Sequence, residues 1–421
     1  MDKLRIRGGK RLKGEVRIEG AKNSCLPIMA AMLLTDGECR IENVPPLRDV
    51  DTMLKILTCL GVSAYRDGGD VVRREGAYKG ITAPYDIVST MRASICVLGP
   101  LLAKQKAARV SFPGGCVIGP RPIDLHLKGL REFGADIKVD EGYINARAKR
   151  LTGREIYLGG HFGSSVLATG NVMMAATLAK GETVIHNAAS EPEVKDLGEF
   201  LVKMGADITG YGTPTVSIRG VKSLHGASHR VIPDRVEAGT YMIASAITEG
   251  DISVKDVEPG HMMALMDKLR EIGCEVTVNR RSVRVKRSGK RPKAVAVTTL
   301  PYPGFPTDLQ AQVMSLLSVA DGISIITEKI YPERFIHISE LNRMGSDIIL
   351  EGPNAIVKGT DSLSGADVMA SDLRASAALV LAGLVARGET TVHRVYHIDR
   401  GYAHIETKLA GVGADIQRVK E

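Results

Sequence analysis

Two textures alternate along the chain. Stretches that are apolar on nearly every helical face occupy about residues 23–34, 90–104, 165–178, 236–248, 308–319 and 371–386. A helix with no polar face has to be buried all round. Five of these stretches pass through a glycine into a short alternating segment, as in Gly37-Glu38-Cys39-Arg40-Ile41, Gly181-Glu182-Thr183-Val184-Ile185 and Gly388-Glu389-Thr390-Thr391-Val392. The second, Lys104-Gln105-Lys106-Ala107-Ala108, lacks the glycine and keeps the strand pattern. Further on, each is followed by an amphipathic run that ends at Gly61, Gly134, Gly205, Gly273, Gly345 or Gly413. Glycine there suits the left-handed residue that closes a helix. Alternating residues and a turn come next, as in Ala135-Asp136-Ile137-Lys138-Val139 before Asp140-Glu141-Gly142, which predicts a hairpin.

The intervals between these glycines are 73, 71, 68, 72 and 68 residues. Spacing this even marks an internal repeat. Each unit reads as strand, buried helix, strand, surface helix, hairpin, and six such units of about 70 residues exceed one core. The expected fold is α/β: an inside-out pair of α/β domains, three units each, with buried helices and the sheets outside.

Composition narrows the class. At 421 residues, 25% charged and 44% hydrophobic, the chain is of ordinary globular make-up, with room for two to three domains. No apolar stretch reaches the ~18 residues of a membrane span, and the start Met1-Asp2-Lys3-Leu4-Arg5 has no apolar leader. Six cysteines are too few for a disulfide scaffold, so a reducing cytoplasm is the expected compartment and no membrane partner is expected. Lys plus Arg number 56 against 48 Asp plus Glu, a net +8 that suits an acidic partner. Nucleic-acid binders cluster basic residues and interleave aromatics. Here aromatics are 4%, and the basic runs at Arg280-Arg281 and 286–293 read as a solvated hairpin. A nucleic-acid partner is therefore not expected.

Polar residues at the starts of the apolar helices carry the candidate chemistry. Thr307 and Ser371 read as ordinary N-caps. Lys22, Arg92 and Arg374 do not, because a cation opposes the helix dipole there unless an anion is bound. The stretch Pro113-Gly114-Gly115-Cys116-Val117-Ile118-Gly119-Pro120-Arg121-Pro122-Ile123-Asp124-Leu125 reads as a long loop, with a thiol five residues before an arginine. Cys116 is thus a candidate acid or nucleophile, whereas Cys25, Cys39, Cys59, Cys96 and Cys274 read as buried and inert. Asp308, at the mouth of a buried helix, is either a cap or a general base. Phosphate-loop, dinucleotide, HExxH and paired CxxC motifs are all missing, and no metal is expected.

Six motifs together resemble the UDP-N-acetylglucosamine enolpyruvyl transferases of the EPSP synthase superfamily. They are Gly20-Ala21-Lys22-Asn23-Ser24, Met91-Arg92-Ala93-Ser94, the Cys116 loop, Phe305-Pro306-Thr307-Asp308, Asp372-Leu373-Arg374-Ala375-Ser376 and His397-Ile398-Asp399-Arg400-Gly401-Tyr402. The resemblance runs in order over the whole chain. It implies one domain over residues 20–229 and a second from 1–19 with 230–421, the active site lying in the cleft between. It also implies transfer of the enolpyruvyl group of phosphoenolpyruvate to the 3′-hydroxyl of UDP-N-acetylglucosamine, with release of phosphate, the first committed step of peptidoglycan synthesis. No cofactor is implied.

The roles implied are residue by residue. Cys116 would protonate the methylene carbon and can form a covalent adduct with phosphoenolpyruvate, which makes it the expected fosfomycin target. Asp308 would take the hydroxyl proton. Lys22, Asn23, Arg121 and Arg400 would hold phosphoenolpyruvate. Arg92, Arg121, Pro122, Ile123, Asp124, Leu125, Ser165, Val166, Asp308 and Ile330 would meet the nucleotide sugar, and Asp372 and Arg374 line the same cleft. The chain departs from the family pattern at 159–169, which reads as an insertion of about three residues with Leu167 in place of a glycine. Arg48 stands where some members have lysine, which keeps the charge but not the hydrogen-bond geometry. The shikimate-phosphate enzymes share fold and donor but lack the Gly-Gly-Cys loop.

Overall fold

The computed structural model describes residues 2–114, 122–289 and 291–420. These divide into two compact units, one of residues 2–19 and 233–420 and the other of 20–114 and 122–232.

In each unit three apolar helices form the middle. Those of the second unit are Lys22–Ala31, the 3-10 turn Arg92–Val97 running into Leu98–Gln105, and Val166–Ala176. Those of the first are Arg235–Ile247, Gln310–Leu317 and Leu373–Gly383, which pack against one another. Only Asn23 of Lys22–Ala31 and only Arg235 of Arg235–Ile247 escape burial, as their lack of a polar face requires. The outer helices are one-sided: Arg48–Cys59 buries Val50, Met53 and Leu57 along one stripe. Cys59 lies off that stripe and is exposed, which corrects its expected burial, while Cys25, Cys39, Cys96 and Cys274 are buried. Burial pushes the Cys25 and Cys96 thiols up to about 12 and Cys274 to about 11, so all three are poor nucleophiles.

Among the described residues six four-stranded sheets flank the helices, three to a unit, and all share one order. In the sheet Thr82–Ala83, Ala107–Ser111, Tyr143–Arg147, Asp136–Asp140, the strand before the inner helix runs parallel to the strand after it, and the hairpin follows antiparallel. The six repeat glycines all have φ between 86° and 106°, the left-handed closure expected of them. Where the second unit lacks its glycine, Lys106 takes the left-handed position itself at φ 63°, at a cost of roughly 1–2 kcal/mol.

Three sheets are completed by strands remote in sequence. Lys3–Arg7 fills the place of a hairpin strand between Glu389–His393 and Asp415–Val419, with Leu4 opposite both Val392 and Arg418. Lys13–Arg17 runs parallel to Asp251–Lys255, and Ser228–Arg230 runs parallel to Cys39–Glu42. The first described strand is therefore central, and its Leu4 and Ile6 are wholly buried. Ile6→Ala is expected to cost about 2–5 kcal/mol in chemical denaturation, the loss of a core residue rather than of a frayed end. A cost below about 1 kcal/mol would show that the strand does not bear on the core.

Candidate active site

In the unit of residues 20–232, Lys22 opens its helix behind Ala21, which offers no side-chain cap. Its Nζ lies 3.1 Å from Asp49 Oδ2, with side chains only 10% and 5% exposed. The cation that opposes the helix dipole thus has a counter-ion within the fold, a partner the sequence did not single out. Removing Asp49 would strand a buried charge. Asn23 follows, half-exposed. Arg92, also half-exposed, starts its 3-10 turn and donates through Nη2 to the Pro122 carbonyl at 3.2 Å, which ties it to residues 122–125. Asp124 opens the helix Asp124–Glu132 and is exposed, while Ile123 and Leu125 are buried. Ser165 is an N-cap, accepting from the Ala168 amide at 3.4 Å, and Val166 begins the helix it caps. Cys116 and Arg121 lie outside the described residues.

In the other unit the chemistry gathers on Asp308. Its Oδ1 accepts from Arg334 Nη1 at 2.8 Å and its Oδ2 from Arg374 Nη2 at 3.1 Å. Both guanidinium groups are buried, and the carboxylate keeps 28% of its side chain exposed. Behind it, Arg374 Nη1 donates to the Tyr402 hydroxyl at 3.2 Å, and Gln312 Nε2 donates to the same hydroxyl at 3.2 Å and to the Asp308 carbonyl at 2.9 Å. Thr240 lies 2.8 Å from that hydroxyl. Asp308 is not an N-cap; Pro306 precedes its 3-10 turn.

The two expected caps are corrected as well. Thr307 donates its hydroxyl to Glu328 Oε2 at 2.9 Å and accepts from Arg334, so it braces the loop instead. Ser371 yields to Asp372, whose Oδ1 accepts from the amides of Arg374 and Ala375 at 2.9 and 3.1 Å. Asp has two acceptor oxygens and a charge that favours a helix N-terminus, so it outcompetes the neighbouring serine. Asp372 thereby sets the helix turn that carries Arg374. Glu328 Oε1 accepts from the Ile330 and Tyr331 amides at 2.8 and 3.0 Å, fixing the backbone at Ile330. Arg400, half-buried, ends the 3-10 segment Val395–Arg400. Nearby His397 is held below its ordinary value, chiefly by burial and then by Arg400.

Burial alone would raise the Asp308 carboxyl, but Arg374 and Arg334 outweigh it and hold the group well below the usual carboxylate range. Its pairing therefore stabilises the fold above the unfolded value of about 3.9 and is lost only as pH falls further, through the folded value. No acid limb from Asp308 is expected in kcat/KM between pH 5 and 8. An inflection there that moves on Asp308→Glu would contradict this.

Arg334 was not singled out from sequence: it sits in the irregular segment Tyr331-Pro332-Glu333-Arg334, outside the repeated elements, and no periodicity points to it. Tyr402 ends the motif His397-Ile398-Asp399-Arg400-Gly401-Tyr402, and the resemblance implies no role for it. Among the described residues no cluster of His, Cys, Asp and Glu could hold a metal, and no helix is long and apolar enough to cross a membrane.

Comparison with known proteins meets this geometry. The model of the family EPSP synthase (3-phosphoshikimate 1-carboxyvinyltransferase) matches residues 6–409. UDP-N-acetylglucosamine 1-carboxyvinyltransferase of Myxococcus xanthus is 54% identical and that of Geobacter metallireducens 53%, each alignment covering 100% of both chains. The crystal structure of the enolpyruvyl transferase NikO from Streptomyces tendae superposes with TM-score 0.90 at 27% identity, covering 100% of this chain and 99% of that one. EPSP synthase from Acinetobacter baumannii shares the fold, with TM-score 0.76 at 19% identity over 100% of both chains. The chain belongs to the EPSP synthase family and is an enolpyruvyl transferase. Within that family it groups with the UDP-N-acetylglucosamine 1-carboxyvinyltransferases.

Proposed function

We propose that the protein moves the enolpyruvyl group of phosphoenolpyruvate onto the 3′-hydroxyl of UDP-N-acetylglucosamine and releases inorganic phosphate, the first committed step of peptidoglycan synthesis. The observation that carries this reading is the end-to-end identity of 54% to a relative of that name. In the addition step the hydroxyl oxygen bonds to C2 of phosphoenolpyruvate while C3 gains a proton. In the elimination step C3 loses a proton and the C2–O bond to phosphate breaks. Atoms and electrons balance between the two substrates, so no oxidant, reductant or other co-reactant is consumed.

Asp308 has the geometry for the hydroxyl. Its charge is fixed by two arginines and part of its surface is open, so it accepts the hydroxyl hydrogen and orients the oxygen. So stabilised a carboxylate is a weak base at rest, and it takes the proton only as the new C–O bond draws charge from the oxygen. Cys116 is assigned as proton donor to C3, and the thiolate left behind can bond to C2 in a covalent adduct. Lys22, Asn23, Arg121 and Arg400 are assigned to phosphoenolpyruvate, where fixed cations stabilise the tetrahedral intermediate. Arg92, residues 121–125, Ser165, Val166, Asp308 and Ile330 are assigned to the nucleotide sugar, with Asp372 and Arg374 beside them. The five described cysteines are free thiols, in keeping with a reducing cytoplasm.

Phosphate release from phosphoenolpyruvate is the direct test. Release with UDP-N-acetylglucosamine and none with shikimate 3-phosphate is expected. Release with shikimate 3-phosphate alone, or with neither, would overturn the reading.

A further inference from the structure

A buried polar chain lies behind the start of the Lys22 helix, and none of its members has a part in the reaction set out above. Its hub is Asp196 on the outer helix Pro192–Lys203, 2% exposed. Asp196 Oδ1 lies 2.8 Å from His229 Nε2. Asp196 Oδ2 accepts from the Ser24 hydroxyl and, at 3.3 Å, from the Ile232 amide. Ser24 is wholly buried and His229 is 3% exposed.

The proton positions follow from the partners. Lys203 Nζ lies 3.1 Å from His229 Nδ1, and an ammonium has only hydrogens to give. Nδ1 is therefore the acceptor, and Nε2 carries the ring proton that goes to Asp196. The order is Lys203 to His229 to Asp196, with Ser24 and the Ile232 amide as further donors. Every named contact on the carboxylate is a donor.

Asp196 faces a helix start that has no side-chain cap. Ala21 supplies no side-chain cap and the first turn holds no acidic residue, yet it carries Lys22. Asp49 already pairs with Lys22, and a negative charge beside the first turn also suits the orphan amides there. Ser24 lies two residues from Lys22 on the same turn, and the Ala21 amide donates to the Ile232 carbonyl at 2.7 Å. Asp196 thus grips both the helix start, through Ser24, and the segment at Ile232 to which that start is bonded.

We propose that Asp196, acting through Ser24, is a positioning residue that fixes the place of Lys22 and Asn23 for phosphoenolpyruvate. This rests on the assignment of Lys22 to that substrate. Misplacement of a binding group by about 1 Å can cost up to roughly 100-fold in rate.

The test uses Ser24→Ala, Asp196→Asn, the double variant and Lys22→Ala in the full-length enzyme, with phosphate release measured against phosphoenolpyruvate. Ser24→Ala removes one of several donors and keeps the carboxylate, so it stays informative if Asp196→Asn unfolds. Ser24→Ala and Asp196→Asn are each expected to raise KM for phosphoenolpyruvate by about 10-fold, within the range a small displacement produces. KM for UDP-N-acetylglucosamine is expected to change less than about 2-fold, and the double variant to be no worse than the worse single one, because both cut the same link. A drop in melting temperature with both KM values unchanged would make the chain merely structural and overturn the proposal. So would a strictly multiplicative double variant. If Lys22→Ala leaves KM for phosphoenolpyruvate unchanged, the Lys22 assignment itself fails. If it raises that KM while Ser24→Ala does not, positioning by Asp196 alone fails.

Discussion

Asp308→Asn is expected to lower turnover by about 1,000-fold, the usual range for losing a positioned acid–base group being 10²–10⁴. Two separate effects are expected from the one substitution. The amide cannot take the hydroxyl proton, which lowers kcat. It also leaves the buried guanidinium groups of Arg334 and Arg374 without their shared counter-ion. Stranding a buried charge costs about 3–5 kcal/mol, so thermal unfolding should shift down as well. Asp308→Glu separates the effects, since it keeps the charge and moves only the acceptor. We expect Glu to restore most of the stability and little of the rate. Near-normal phosphate release by Asp308→Asn, with the fold intact, would remove Asp308 from the proton-transfer step.

Cys116→Ser is expected to abolish turnover to within detection, because a serine hydroxyl holds its proton far more tightly than a thiol and is a poor donor to carbon. Cys116→Asp should retain measurable turnover, with the rate rising as pH falls, since only the protonated carboxyl can give a proton. The same variant should become insensitive to fosfomycin, which is expected to alkylate the wild-type thiol and stop phosphate release. The adduct would be seen as a mass increase on the peptide carrying Cys116. Full activity in Cys116→Ser, or unimpaired turnover after prolonged fosfomycin treatment, would refute a chemical role for this thiol. The buried thiols serve as internal controls: Cys25 and Cys96, pushed up to about 12, should not react.

The repeat was legible because its two markers are local and physical. A helix with no polar face and a glycine at a left-handed closure are both written in consecutive residues, and all six closures took that form. What stayed hidden depended on distant partners. Nothing near Lys3–Arg7 announces that it pairs with Asp415–Val419, because the register joins the two ends of the sequence. Lys106 takes a left-handed position against its own preference, its amide closing the helix on the Leu102 carbonyl. The 3-10 starts at Arg92–Val97 and Thr307–Leu309 were read as plain α-helix, since i+3 and i+4 periodicities differ little over one turn.

At the candidate site the conspicuous cations were found, but their counter-ions were not. Lys22 and Arg374 stood out as charges in the wrong place on a helix, whereas Asp49 and Arg334 look like ordinary surface residues until folding brings them in. The expectation that misplaced cations await an external anion was therefore incomplete. Part of that charge is already balanced within the protein, and Asp308 is the balance for Arg374.

The remote strand pairings also dictate an order of events during synthesis. Residues 20–232 are contiguous, so that unit has all its strands once residue 232 leaves the ribosome. The other unit does not. Lys13–Arg17 must wait for Asp251–Lys255, and Lys3–Arg7 has no second neighbour until Asp415–Val419 is made. At roughly 5–20 residues per second, the interval from residue 232 to 415 lasts on the order of 10–40 s. Throughout it Leu4 and Ile6, both destined for the core, lack their second neighbour. Nascent chains halted within that interval should yield a protease-resistant core of residues 20–232 with a cleavable leading segment.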